Sequence, residues 1–169
     1  MKNTEYILYL DMDEVLSDFN GGYEKYYDAL SGGDIGYTEF FANLDWTSNG
    51  KTFWRAVSKM FSDIRTLSTS NADGEEHEAT SLGKRMWVKK NLKTIPEAHM
   101  YVVERSNYKA LYADEHSILV DDLEDTIHNW KMKGGIGIVH SDEYVERTIA
   151  ELDRIINPSK LTDIVKRFR

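Results

Sequence analysis

The chain has 169 residues and no cysteine, with 21 Lys and Arg against 29 Asp and Glu, a formal net charge of −8 at pH 7. That length suits one domain with a full core, and the acidity disfavours a large nucleic-acid surface. The missing cysteines exclude disulfides, thiolate zinc sites and thiol catalysis, and no run reaches the ~18 apolar residues of a membrane helix.

The opening "MKNTEY" reaches a strand pattern at once, which leaves no room for a secretory signal and leads us to expect a cytoplasmic protein. Tyr6–Leu10 is β-rich and continuously apolar, as a strand covered on both faces should be. Residues 17–30 read as a helix carrying Phe19, Tyr23 and Tyr26, broken by "SGGDIG". Residues 34–62 are rich in aromatics, and Lys51–Phe61 fits a short amphipathic helix through Phe53, Trp54 and Val57. Ile64–Ser68 is a second strand. A helix to about Leu92 follows, with Ala79, Leu82 and Met86 on one face. Met100–Glu104, Ser117–Val120 and Ile136–Val139 are further strands. Val145, Ile149, Leu152 and Ile156 give a helical stripe, and Leu161, Ile164, Val165 and Phe168 a last helix.

Strands alternating with helices predict an α/β fold, a Rossmann-like core with a parallel sheet flanked by helices. The long gap after the first strand exceeds one crossover helix. Residues 17–62 are therefore read as a small helical cap, with 1–16 and 63–169 forming the core. In such sheets ligands bind beyond the carboxyl ends of the strands, where Asp11, Ser68 and Asp121 fall.

The stretch "YLDMDEVLSDF" puts two carboxylates just past a buried strand. Asp11 can act as a nucleophile or a metal ligand. Asp13, if protonated, could protonate a leaving group and then activate water. Asp121 and Asp122 add negative charge at another strand end, so a cation is expected among them. Oxygen-only ligation suits Mg²⁺. Ser68, Thr69 and Lys109 offer donors for phosphate oxygens.

These residues carry a resemblance. "DMDEVLSDF", "TLSTS", Lys109 and "ILVDDLED" resemble the four motifs of the haloacid dehalogenase-like (HAD) phosphohydrolases. Within that superfamily, "KRMWVKKNL" and "GGIGIVH" make the chain most similar to the 5'(3')-deoxyribonucleotidases of the cytosolic and mitochondrial type, over roughly residues 6–140. The resemblance implies a Mg²⁺-dependent phosphatase for (deoxy)nucleoside monophosphates. Asp11 would form an aspartyl-phosphate and Asp13 would be the acid and base. The metal would be held by Asp11, the backbone carbonyl of Asp13, and Asp121 or Asp122, with Asp125 reaching it through water. Ser68, Thr69 and Lys109 would hold the phosphoryl group.

Family members hold the base between cap aromatics, for which Phe19, Phe53 and Trp54 are the candidates here, with Trp87 near the entrance. Lys84 is either a contact to phosphate or a solvated helix lysine. The expected partner is a small-molecule substrate, with no membrane and no nucleic acid; a homodimer is compatible with the sequence. Alternatives are a HAD phosphatase for another small phosphomonoester or a polynucleotide phosphate end, and a catalytically silent nucleotide-binding module. Where the family motif carries glycine, this chain has Glu14. An ordinary helical-type turn would tolerate it, with the side chain pointing away from phosphate; a positive φ would cost it ~1–2 kcal/mol.

Overall fold

A computed structural model describes residues 1–158 of the chain. The helix expected around Leu161–Phe168 lies outside the described residues. The elements run β1 (Asn3–Leu10), α1 (Phe19–Ser31), α2 (Tyr37–Ala42), α3 (Gly50–Met60), β2 (Phe61–Thr69), α4 (Gly74–Asn91), β3 (Met100–Val103), β4 (Ser117–Asp121), α5 (Glu124–Met132), β5 (Ile136–Val139) and α6 (Val145–Ile156). The five strands form one parallel sheet in the order β3-β2-β1-β4-β5. This is the Rossmann-like α/β architecture expected from the alternation of strands and helices.

Successive strand residues point to opposite faces, and each face has its own core. Leu8, Leu10, Ile118 and Val120 pack on one side with Phe53, Val57, Trp87, Val88, Val145 and Leu152 from the helices. Tyr9, Leu67 and Leu119 pack on the other with Ile127 and Trp130 of α5. Central strands that are apolar at every position are thus explained by two covered faces.

The chain departs from β1 in one direction through β2 to β3, and in the other through β4 to β5. The switch point lies between β1 and β4, where open α/β sheets bind ligands. Leu10 pairs with Val120, and Asp11 N–H donates to the Val120 carbonyl at 3.0 Å. One residue further along each strand stand Asp11 and Asp121, so the register itself brings these carboxylates together.

Of residues 17–62, α3 packs against β2 and α6, while α1 packs on α2 and α2 on α4. Helix α2 lies tightly on α4. Thr38 Oγ1 donates to the Ala79 carbonyl at 2.8 Å. A Cβ on Gly83 would stand 2.5 Å from the Thr38 carbonyl oxygen, so glycine is what permits this approach. The buried face of α4 is Thr80, Gly83, Lys84, Trp87 and Val88. Leu82 and Met86, expected on the apolar face, are exposed. The contact with α2 falls on the face that carries Gly83 and Lys84. Among the described residues, no helix is long and apolar enough to cross a membrane.

Candidate active site

A crevice of about 450 Å³ opens at the carboxyl ends of the strands, between them and α1–α2. Its floor carries Asp11, Asp13 and Asp122, and its wall carries Phe19, Tyr23 and Phe41. Thr69 also lines it.

Two buried lysines organise the floor. Lys109, in the 3₁₀ segment Ser106–Tyr112, is 1% exposed. Its Nζ donates to Asp121 Oδ2 at 2.7 Å and stands 3.0 Å from Asp11 Oδ1. Burial alone would depress its pKa, but the Asp11 and Asp121 charges outweigh that and raise it, so it stays an ammonium. Lys84, also 1% exposed, reaches in from α4. Its Nζ donates to Asp13 Oδ2 at 2.7 Å, Ser68 Oγ at 2.8 Å and the Thr69 carbonyl at 2.6 Å. Phe41 covers it, with Nζ 4.8 Å from the ring centroid.

Carboxylate oxygens of Asp11, Asp121 and Asp122 lie within 4.8 Å of one another. Asp121 is fully buried, and its Oδ1 accepts from Leu123 N–H at 3.0 Å. Burial, and then the charge of Asp11, push Asp121 up to about 6 and Asp122 up to about 7. Burial also raises Asp13, against the opposing pull of Lys84. Fully ionised, the four aspartates leave two net negative charges beyond the two lysines. An oxygen-only donor set with that residual charge fits Mg²⁺. Asp125, in the first turn of α5, is exposed and stands outside this cluster.

The aromatic candidates divide. Phe19 lines the crevice, its ring nearly parallel to those of Tyr23 (21°, centroids 5.8 Å apart) and Phe41 (17°, 6.0 Å). Phe53, Trp54 and Trp87 are not at the crevice, and their assignment to a base site is corrected. Phe53 is fully buried in the core and packs against the His140 ring. Trp87 is fully buried, with Nε1 donating to the Leu44 carbonyl at 2.8 Å and its ring on Trp46. Trp54 lines a separate cleft with Phe61, Pro96 and His99. Phe53 and Trp54 follow α3, which lies against β2 and α6, and Trp87 stands on the buried face of α4. Tyr23 and Phe41, which were not among the sequence candidates, also line the crevice. Tyr23 lies four residues from Phe19 on one helical face, which was a usable signal. The place of Phe41 depends on the α2–α4 contact.

Lys84 is neither a solvated lysine nor, with all three N–H groups engaged, one free to meet phosphate. Glu14 also departs from expectation. Its φ is +58°, a left-handed conformation in place of the ordinary helical-type turn. The turn is fixed by Glu14 N–H donating to the Ser17 carbonyl at 2.8 Å, and by the Leu16 and Ser17 N–H groups converging on the Met12 carbonyl. The Glu14 side chain lines the crevice and accepts from Asn20 N–H at 2.8 Å, in the first turn of α1, yet lies outside the three-carboxylate cluster.

No family model matches the chain, and no curated protein matches it. Among solved structures, it is similar to the HAD domain of the effector protein Lem4 from Legionella pneumophila, an inactive mutant. Identity is 12%, over 93% of this chain and 99% of that one, with a TM-score of 0.41.

Proposed function

We propose that the chain is a Mg²⁺-dependent phosphomonoesterase of the HAD type, hydrolysing (deoxy)nucleoside monophosphates to nucleoside and phosphate. The observation that carries this reading is the convergence of Asp11, Asp121 and Asp122 around Lys109 at the sheet's switch point, with Asp13 beside them.

Asp11 attacks phosphorus, and the bond from phosphorus to the nucleoside oxygen breaks. Asp13 gives its proton to that oxygen, leaving an aspartyl-phosphate on Asp11. Asp13, now a carboxylate, takes a proton from water, whose oxygen attacks phosphorus and frees phosphate with Asp11 restored. The elevated pKa of Asp13 suits the first half of this cycle. Lys109 uses two N–H groups on carboxylates and keeps a third for a phosphoryl oxygen. Asp11, Asp121 and Asp122 would hold Mg²⁺, with the Asp13 backbone carbonyl as a further ligand. The ion would neutralise phosphoryl charge. The remaining catalytic effect is positioning and electrostatics in a partly dry site.

The Phe19, Tyr23 and Phe41 rings supply flat surface for a nucleobase. The test is a substrate panel of nucleoside monophosphates, ribose 5-phosphate, glycerol phosphate and a 5'-phosphorylated oligonucleotide. The highest kcat/KM is expected for mononucleotides. Equal values for ribose 5-phosphate would remove the nucleotide from the proposal and leave the phosphatase.

A further inference from the structure

Both buried lysines touch aspartates of the crevice, but their hydrogen-bond accounts differ. An ammonium has three donors and no acceptor. Among the described residues, Lys109 spends two donors on side-chain carboxylates. Lys84 spends all three, on Asp13 Oδ2, Ser68 Oγ and the Thr69 carbonyl, at 2.6–2.8 Å. It has no donor left for a substrate, and Phe41 lies over it.

We propose that Lys84 is a positioning residue that sets the proton arrangement of the site through Asp13 and Ser68, without touching substrate; this rests on the phosphatase reading above. Lys84 holds Asp13 Oδ2 as an acceptor at 2.7 Å, which turns Oδ1, approached by Ser17 Oγ at 3.4 Å, into the oxygen away from the ammonium. Ser68 Oγ, buried beneath the crevice floor, also accepts from Lys84, which leaves its own O–H hydrogen to be donated elsewhere. One ammonium thus orients an acid's carboxyl and a hydroxyl together. Nothing in the local sequence required this. Lys84 lies on α4, at the turn where Gly83 allows the α2 backbone to approach and Phe41 to seal the lysine from water. The bond to Thr69 ties the same lysine to the end of β2, so its ammonium is held from three sides.

The test separates positioning of the acid from phosphate binding and from general structure. An acid matters when the leaving group is an alkoxide, and little when it is p-nitrophenolate, a stable anion. The quantity to compare is kcat/KM, which covers the steps up to loss of the leaving group. We expect Lys84→Gln to lower kcat/KM about 100-fold for a nucleoside monophosphate and less than about 5-fold for p-nitrophenyl phosphate. In an Asp13→Asn background, Lys84→Gln should add less than about 3-fold, because its route is already removed. Equal losses on both substrates, or full additivity with Asp13→Asn, would overturn the proposal. If Lys84→Gln does not fold, wild-type protein with ¹⁵N-lysine decides. A solvent-protected ammonium signal that moves on Asp13→Asn is expected; no protected signal responding to Asp13 overturns it. If wild-type protein hydrolyses neither substrate, the phosphatase reading fails. If wild type is active and the variant contrast is absent, only the role of Lys84 fails.

Discussion

The Lys109 ammonium stands 3.0 Å from the Asp11 carboxylate, and both are buried at the end of the sheet's central strand. Lys109 also donates to Asp121 at 2.7 Å, so it is the cation through which two adjacent strand ends are joined. Lys109→Met should therefore do more than reduce activity. It leaves two facing carboxylates uncompensated in a buried site, a change that costs about 3–5 kcal/mol. Urea denaturation should show that loss in EDTA and a partial recovery in Mg²⁺, since a divalent ion replaces some of the missing charge. A loss that ignores Mg²⁺ would count against a shared cation site.

The pH dependence has a definite sign. Asp121 and Asp122 are raised to about 6 and about 7 in the folded protein, against ~3.9 for a free aspartate. Between those values the folded state holds more protons than the unfolded one. These groups therefore contribute stability that is fully present below about pH 4 and lost as pH rises through 6 and 7. In EDTA, wild type should lose stability relative to Asp122→Asn over that window. Added Mg²⁺ should stabilise wild type more at pH 8 than at pH 5. Melts at three pH values with and without the metal test both statements, and a Mg²⁺ effect that shrinks as pH rises contradicts them.

Base recognition is expected to follow the crevice and not the core. Phe19→Ala should raise KM for a nucleoside monophosphate about 10-fold, the loss of one stacking contact of about 1–2 kcal/mol. KM for glycerol phosphate should stay within about 2-fold. Trp54→Ala, altering the separate cleft, should leave both KM values unchanged. Steady-state kinetics on the two variants decide this, and a larger KM effect at Trp54 than at Phe19 would reverse the assignment.

Glu14 offers a stability test of a local kind. Its backbone is left-handed and its carboxylate caps the start of α1. Glu14→Ala keeps the strained φ and loses the cap, and should cost about 1–2 kcal/mol. Glu14→Gly loses the cap but relieves the strain, and should be more stable than Glu14→Ala by about 1 kcal/mol. Thermal melts of the pair measure the difference. An alanine variant as stable as the glycine one would mean the positive φ carries no cost.

The sequence carried the strands and the groups at their ends because both depend on local pattern. Continuous apolar runs mark buried parallel strands, and Asp11 and Asp121 meet by register. Lys84 was ambiguous because a lysine in a helix is ordinarily solvated. Its burial follows from Gly83 and Thr38 bringing two helices together, a contact between residues far apart in the chain. Leu82 and Met86 of the same helix are exposed, against their hydrophobicity. Phe53 and Trp87 read as base candidates in the sequence because aromatic residues in a helix look alike whether they face a crevice or a core. The left-handed turn at Glu14 was hidden because glutamate gives no sign of a positive φ, and glycine would have.

In the proposed cycle Asp11 carries the phosphoryl group. The most direct measurement is acid quenching of wild-type protein during turnover of a nucleoside monophosphate in Mg²⁺, followed by peptide mass spectrometry. A phosphoryl group on Asp11 is expected, absent in EDTA and in Asp11→Asn, with phosphate release lost in both. Phosphate release at a normal rate by Asp11→Asn, or a phosphoryl group mapped to another residue, would contradict it.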